Sequence, residues 1–215
     1  MVISRRAFLA PLSGLVLSGC VSDNLQRLGR ASEIIIGNSG QAYDPQQARQ
    51  LPYASMDVRL GISMQSLVIL ASVEGETLHW LTADKVTLIT RQGRVMATSG
   101  LPEDLLKTLP WGDDPILQRS PARGQTLRQI DLHYRSLYGL VVESDWEEQG
   151  LETVDTYGEV RTLNRVVERC RCRRFDWDFE NTFWRDERGF VWHSVQYFSP
   201  TAPPLQMRIL KPYQG

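Results

Sequence analysis

The middle of the chain alternates between short, largely apolar runs and single turns. Residues 66–73 have the length of a strand, Glu74 and Gly75 supply a turn, and residues 77–81 form the next run. This spacing is typical of antiparallel hairpins. The sequence therefore predicts a mainly β protein, with strands at 56–60, 66–73, 77–81, 86–90, 94–98, 127–134, 138–144, 162–167, 169–179, 190–198 and 205–210.

One segment predicts a helix. Pro102 stands at a first-turn position, with Glu103 and Asp104 behind it, which suits both the missing N–H of proline and the helix dipole. Leu105, Leu106 and Leu109 form an apolar stripe, and Pro110 ends it. We therefore expect a helix over residues 101–109, followed by a loop over 111–125.

The N-terminus has the form of an export signal. Arg5 and Arg6 precede an apolar run, residues 7–17, which is too short to span a ~30 Å bilayer core as a helix. The run ends in Leu-Ser-Gly-Cys at residues 17–20, which resembles a bacterial lipobox. The resemblance implies cleavage before Cys20, diacylglycerol on its thiol and a further acyl chain such as palmitate on its amine. An ordinary signal peptide with a coincidental cysteine is the alternative.

This interpretation divides the chain into a signal peptide at 1–19, a tether at 20–33 and a single β-rich periplasmic domain at 34–215. The segment from Ser4 to Leu9 resembles the twin-arginine export motif, and the general secretory route is an equal alternative. Val21 stands where inner-membrane lipoproteins of enteric bacteria carry Asp. We therefore expect a lipid anchor in the outer membrane, on its periplasmic face.

Composition excludes several classes of protein. The 215 residues include 24 Lys and Arg against 25 Asp and Glu, and 42% are hydrophobic. Cleavage would remove Arg5 and Arg6 but no acid, leaving a net charge of −3. Disordered, collagen-like and multi-span membrane proteins differ in composition, and nucleic-acid binders carry a basic excess. We expect no nucleic-acid partner.

Motifs of catalysis and metal binding are absent from the sequence. The three histidines, His79, His133 and His193, are not at metal-ligand spacing. No Gly-x-Ser-x-Gly elbow and no Ser-x-x-Lys pair is present. The sequence therefore predicts no catalytic residue, no metal and no cofactor.

Two patterns in residues 169–180 leave alternatives open. On a single strand, Asp176, Asp178 and Glu180 would share one face, as a solvated acidic surface or as the paired carboxylates of a glycosidase. Cys170 and Cys172 would lie ~6.6 Å apart on one side of that strand. They form either a strained disulfide or two reduced, buried thiols.

Several short stretches in the middle of the chain form a recognisable combination when taken in order. They are Leu51–Met56, Arg59–Gly61, Leu67–Ala71, Trp80, Asp84, Thr90–Val95, Thr98–Leu101, Asp114 and Pro115. Together they resemble the group 4 capsule and exopolysaccharide lipoproteins, the YjbF- and GfcB-like family. The resemblance covers most of residues 34–120 and agrees with the lipobox. It implies a curved, partly open antiparallel sheet or half-barrel with a few short helices, in an accessory protein of polysaccharide export.

Three functions compete at this point. The first is an accessory protein that binds the polysaccharide or components of its export machinery. The second is a lipid or lipoprotein carrier with a pocket in its half-barrel, and the third is a periplasmic glycan-modifying enzyme. For the first function, we expect a binding region in which strand-end residues gather at one rim of the sheet, with tryptophan exposed for stacking. Its members are Trp80, Asp84, Trp111 and Asp114.

Overall fold

The computed structural model describes residues 43–63 and 65–214. The predicted signal peptide and tether, including Cys20, lie outside the described residues. Within the described part the protein is mainly β, as predicted, with one short helix, α1 (Pro45–Gln50). The strands are β1 (Ser55–Leu60), β2 (Ser66–Glu74), β3 (Thr77–Thr82), β4 (Thr87–Arg91), β5 (Arg94–Ser99), β6 (Leu105–Trp111), β7 (Gly124–Leu132), β8 (Leu137–Asp155), β9 (Val160–Cys172), β10 (Trp177–Arg185), β11 (Val191–Gln196) and β12 (Leu205–Lys211).

All twelve strands form one antiparallel sheet. Its order is β5-β4-β3-β2-β1-β12-β11-β10-β9-β8-β7-β6, so the only neighbours not consecutive in the chain are β1 and β12. The sheet curls until its two end strands, β5 and β6, lie side by side. The predicted curved, partly open sheet is confirmed, in a nearly closed, barrel-like form.

Side chains join the two end strands where a backbone ladder is missing. The amide of Leu105 on β6 donates to the Thr98 hydroxyl on β5 at 2.9 Å, and the Thr108 hydroxyl donates to the carbonyl of Val95 at 3.4 Å. Pro110 lies in β6, where an end strand tolerates the lost amide donor. We call this junction the β5–β6 seam.

The predicted helix over residues 101–109 is wrong, because this segment forms the seam strand β6. The Asp104 carboxylate accepts from the Thr98 hydroxyl at 2.8 Å and from the amides of Gly100 and Leu101 at 3.0 and 3.1 Å. These bonds fix a corner where the acidic residues had indicated a helix start. Leu105 then pairs with Leu132 of β7 and is buried.

Residues 160–185 also differ from the prediction. The expected separate strands at 162–167 and 169–179 are instead β9, a 3-10 turn over Arg173–Phe175, and β10. Asp176 closes the turn in the left-handed region, with φ 47°. A second such turn, Tyr134–Ser136, joins β7 to β8. At the other end of the chain, Asp44 caps α1 by accepting from the amide of Gln46 at 2.9 Å.

Because every strand reverses the one before it, the turns divide between two ends of the sheet. The turns after β2, β4 and β10 share one end with the β6–β7 connection, and we call it the β2–β3 end. The turns after β3, β5, β7, β9 and β11 share the opposite end, which we call the β3–β4 end. The apolar core fills the space between the ends, around residues such as Val68, Leu88, Leu140 and Cys172.

Candidate functional site

A largely apolar cavity of about 330 Å³ lies inside the sheet at its β2–β3 end. This volume is at the small end of the ~300–1,000 Å³ that ligand pockets occupy. The lining comes from both ends of the chain, because β1–β4 and β11–β12 are neighbours in the sheet. The lining residues are Met56, Val73, Gly75, Glu76, Leu78, Trp80, Thr90, Gln92, Gly93, Arg119, Phe190, Val191, Trp192, His193, Ser194, Met207, Ile209 and Tyr213.

The aromatic side chains of the cavity are held in place by specific partners. The indole N–H of Trp80 donates to the Thr90 hydroxyl on β4 at 2.8 Å. Phe190 and Trp192 meet edge to face, with ring centroids 4.9 Å apart, and the Trp192 indole donates to Asp186 at 3.0 Å. These contacts hold the aromatic rings in a fixed apolar wall. A cavity with such a wall is suited to hold a ring or a short hydrocarbon chain.

The turn between β4 and β5 closes one side of the cavity. Gly93 has φ 89°, and a Cβ atom there would lie 2.5 Å from the Cβ of Val191. Glycine thus permits both the turn and the close approach of two strands that are not neighbours in the sheet. Next to it, the Arg119 Nε donates to the Gln92 side-chain oxygen at 2.9 Å. The mouth of the cavity is therefore polar while its wall is apolar.

His193 lies on β11, one of the strands that line the cavity, and its side chain faces the outer side of the sheet, opposite Arg208 and Trp184. Burial, and then the nearby charge of Arg208, lower the pKa of His193 to about 3, so its imidazole is neutral at pH 7. Its Nδ1 atom is buried and has no hydrogen-bond partner within the described residues. Ser194 follows His193 on the same strand, so the two side chains point to opposite faces and do not form a nucleophile–base pair.

A charged network lies deeper in the interior, and no pattern in the sequence indicated it. Arg94 pairs with Asp114 at 2.6 Å and with Glu168 at 3.1 Å, and Arg128 also pairs with Glu168. Asn181 donates to Glu168 at 2.8 Å. Burial alone would raise the pKa of Glu168, but Arg128 and Arg94 outweigh it and lower that pKa to about 2. All the charges are compensated, so the network holds strands together.

The four residues expected at one rim do not gather there. Trp80 is only 2% exposed and belongs to the cavity wall, so its expected exposure is wrong. Asp114 is also buried, beside Arg94, and accepts from the amide of Ile116 at 2.9 Å. Asp84 is exposed at the β3–β4 end, whereas Trp111 is 44% exposed at the β2–β3 end. The expectation of a single rim is therefore wrong.

The acidic residues of 176–180 do not form a single strand face either. Asp176 lies in the turn before β10, and only Asp178 and Glu180 share a strand. All three side chains are exposed, and Arg171 lies 3.8 Å from Asp176 and 3.6 Å from Asp178. They form a solvated acidic surface paired with arginine. Cys170 and Cys172 are free and buried on β9, which decides between the two alternatives for this pair.

Residues 43–63 and 65–214 contain neither a metal-binding cluster nor a membrane-spanning helix. No group of three or more His, Cys, Asp or Glu side chains there is arranged to hold a metal ion. Nor does this part of the chain contain a helix with the length and apolar character needed to cross a membrane.

Comparisons with known proteins agree on one family. Residues 29–210 match the family model described as "Group 4 capsule polysaccharide lipoprotein gfcB, YjbF". The uncharacterized lipoprotein GfcB of Escherichia coli (strain K12) is 28% identical over 214 residues, covering 96% of this chain and 99% of the relative. The uncharacterized lipoprotein YjbF of the same strain is 25% identical over 206 residues, covering 92% and 93%.

A solved structure shows the same fold. The crystal structure of the hypothetical lipoprotein YmcC from Escherichia coli (K12) superposes with a TM-score of 0.75 at 27% identity. The match covers 85% of this chain and 95% of that one.

Proposed function

Because the chain belongs to the group 4 capsule polysaccharide lipoprotein family, we propose that it is a lipid-anchored accessory protein of capsule or exopolysaccharide export that acts by binding. The family supplies the biological setting, and the relatives are named as lipoproteins. The observation that carries the binding role is the apolar cavity at the β2–β3 end, with its fixed aromatic wall and polar mouth.

The anchor is the second part of the proposal. The lipobox at residues 17–20 would place diacylglycerol on Cys20, and several acyl chains hold a protein on a membrane essentially permanently. Val21 favours the outer membrane, with the domain facing the periplasm. From there the protein would meet components of the polysaccharide export machinery, or the polysaccharide itself.

Binding is favoured over catalysis because of what lines the cavity. Its titratable residues in the described part of the chain are Glu76, Arg119, His193 and Tyr213, and none makes a hydrogen bond to a nucleophile. Glycoside hydrolysis needs two carboxyl groups facing each other across the substrate, whereas this lining offers only Glu76.

A carrier of lipid or lipoprotein is the second candidate function. It is favoured by the same apolar wall, because a buried hydrocarbon gains ~0.8 kcal/mol per CH₂. The two candidates are separated by the bound molecule. Organic extraction of the purified protein followed by mass spectrometry would detect a stoichiometric acyl lipid in a carrier, and none in a protein that binds saccharide or protein partners.

Filling the cavity tests the proposed function. Val73 is 38% exposed and lines the cavity, so Val73→Trp would occupy its volume from the rim without disturbing the core. Val141 is 37% exposed on β8, away from the cavity, and Val141→Trp is the matched control. In a strain lacking the native protein, we expect the first variant to reduce surface polysaccharide and the second to restore it fully. Equal restoration by both variants would remove the cavity from the function.

The anchor has its own test. Cys20→Ala should abolish acylation and leave the signal peptide uncut, so that the protein no longer carries diacylglycerol by mass spectrometry. If this variant is still processed and still fractionates with the outer membrane after an alkaline wash, the lipid anchor is disproved.

A further inference from the structure

A row of polar and aromatic side chains crosses the outer face of five neighbouring strands. Ladder pairing places Asp57 of β1 opposite Arg208 of β12, and Arg208 opposite His193 of β11. His193 is in turn opposite Trp184 of β10, and Trp184 opposite Arg165 of β9. We call these five residues the outer row. Strands lie ~4.8 Å apart, so the outer row is ~19 Å long.

The arginines of this region lack acidic partners. Arg59, Arg165 and Arg208 are half-buried, yet none forms an ion pair within the described residues. The Nε atoms of Arg165 and Arg208 are buried without a hydrogen-bond partner. Every other buried or half-buried arginine of the described chain pairs with Asp or Glu: Arg49, Arg91, Arg94, Arg128, Arg161 and Arg185. A bound anion would give these arginines the close ion pair that the other arginines already have.

A polar cavity of about 210 Å³ lies at the Asp57 end of the outer row. The tip of the β8–β9 hairpin and the segment around α1 cover it, and we call these two segments its roof. Tyr157, at the tip of the β8–β9 hairpin, and Tyr43, before α1, both donate their hydroxyls to the Asp57 carboxylate. Gln65 donates to the same carboxylate at 3.3 Å. The roof is held by Arg49 of α1, which pairs with Glu159 of the hairpin at 3.1 Å.

These bonds explain why the arginines remain available. The Asp57 carboxylate accepts from two tyrosines and a glutamine, and it forms no close ion pair with Arg59 or Arg208, which line the same cavity. Arg208 instead lies over the Tyr157 ring, 5.0 Å from its centroid. A guanidinium group can donate two parallel hydrogen bonds to a carboxylate or phosphate, and two such groups lie beside this cavity.

The middle of the outer row is an aromatic stack. Trp184 and His193 stack with ring centroids 4.4 Å apart and an interplanar angle of 12°. The Trp184 indole donates to Glu152 at 2.8 Å, which fixes the ring in place, and Arg165 lies beside it, 5.9 Å from the ring centroid. Because the two rings stack on each other, they fill the outer row between Arg165 and Arg208 and hold these two cations on either side of the stack.

We propose that the outer row binds an acidic polysaccharide chain, with the carboxylate of one sugar residue in the Arg59–Arg208 cavity and the carboxylate of a following residue beside Arg165. This inference rests on the proposed role in polysaccharide export and names the chemistry that the protein recognises. The length of the outer row requires a chain of several residues, so a single sugar would occupy only part of it.

Binding of a defined oligosaccharide tests this inference. The probes are tetragalacturonate and its neutral methyl ester, titrated into the full-length lipoprotein in a nonionic detergent and measured by calorimetry. We expect the acid to bind and the ester to bind at least about tenfold more weakly, because hydrogen bonds to a charged group are lost. Equal binding of acid and ester would overturn the inference.

Variants then place the binding site. Arg208→Gln and Arg165→Gln should each weaken tetragalacturonate binding by about tenfold or more. Arg123→Gln removes the same charge from an exposed position outside the outer row, and we expect it to stay within about twofold of the unchanged protein. Arg165 lies at the other end of the outer row from the covered Asp57 cavity. If Arg208→Gln fails to fold, Arg165→Gln still tests binding. Equal effects of Arg165→Gln and Arg123→Gln would show non-specific attraction and overturn the inference.

A lipid headgroup is the competing source of an anion. Glycerol 3-phosphate that binds more tightly than tetragalacturonate, with the same dependence on Arg208, would assign the cavity to a membrane surface and overturn the inference. The proposed function is tested separately by Val73→Trp. If that variant lowers surface polysaccharide while the outer-row variants bind tetragalacturonate normally, the proposed function stands and this inference fails.

Discussion

Arg94 and Glu168 form a buried ion pair across the interior of the sheet, with Nη1 and Oε2 3.1 Å apart. Arg94 belongs to β5, an end strand, and Glu168 to β9, eight positions further along the sheet. Arg94 also lies over the rings of Trp146 and Phe183, 5.3 Å from each centroid. The pair therefore connects the two halves of the curled sheet in addition to the β5–β6 seam.

Removing the charge of Glu168 should destabilise the protein strongly. Glu168→Gln would leave Arg94 and Arg128 buried without their shared carboxylate, and breaking a buried pair in this way costs ~3–5 kcal/mol. The measurement is the free energy of unfolding from urea titration. Glu180→Gln is the control, because Glu180 is an exposed glutamate on β10, 3.8 Å from Arg169. Similar losses for the two variants would contradict a structural role of the network.

Stability should fall as the pH is lowered from 7 to 5, chiefly because of His193. The pKa of His193 is about 3 in the folded protein against 6.5 for the free side chain, so between these values only the unfolded state is protonated. Proton uptake on unfolding lowers stability by up to ~1.4 kcal/mol per pH unit. His193→Gln should remove most of this dependence, whereas the exposed His133→Gln should retain it. The measurement is the free energy of unfolding of each variant and of the unchanged protein at pH 7 and pH 5. An equal loss of stability in all three proteins would contradict the role of His193.

Below pH 4.5 a second loss should begin. The pKa of Glu168 is lowered to about 2 from 4.5, so its contribution is complete above 4.5 and disappears as the pH falls towards 2. Acid titration of the Glu168→Gln variant, followed by circular dichroism, should lack this transition. A variant with the same acid midpoint as the unchanged protein would refute the assignment.

Gly93 is expected to be much less tolerant of alanine than Gly150. Both have nearly the same φ, 89° and 90°, so the conformational penalty is shared. Only at position 93 would the new Cβ collide with Val191, and overpacking of this kind costs ~1–3 kcal/mol. Thermal unfolding of Gly93→Ala and Gly150→Ala should show that difference. Equal melting temperatures would mean that the β4–β5 turn can move away from β11.

The two strand cysteines should resist alkylation in the folded protein. Cys170 and Cys172 are buried, and burial together with Glu168 raises the pKa of Cys170 to about 11, so little thiolate is present at pH 7.5. Iodoacetamide should therefore modify both residues in urea and neither in buffer, as read by peptide mass spectrometry. Rapid labelling in buffer, or a disulfide-linked peptide, would contradict the structure.

Much of the sheet was predictable because turn chemistry is local. Gly75 and the Gln92–Gly93 pair mark hairpins in the sequence and stand in hairpin turns in the structure. The predicted helix at 101–109 is wrong because Asp104 stabilises a corner instead of a helix start, by accepting from Thr98, which precedes this segment in the chain. The predicted strand at 169–179 is wrong for a related reason. Polar and apolar residues continue to alternate through the turn that interrupts it, and Asp176 adopts a left-handed conformation there without being glycine.

The features proposed to bind a ligand were harder to foresee, because they depend on which strands become neighbours. Pairing of β1 with β12 brings Asp57 and Arg208 together, although 150 residues separate them, and no local pattern records this. The burial of Trp80 was missed for a similar reason: its partner, Thr90, lies on the next strand. Trp184 and His193 form a hairpin pair, and this signal was available in the sequence.

The β5–β6 seam has a consequence for how the protein survives at high local concentration on a membrane. The end strands of an open sheet present unpaired backbone groups that can add strands from other molecules and begin aggregation. Here the two vulnerable edges face each other, and the hydroxyls of Thr98 and Thr108 occupy groups that a foreign strand would need. The curl of the sheet thus protects each copy of the protein from its neighbours.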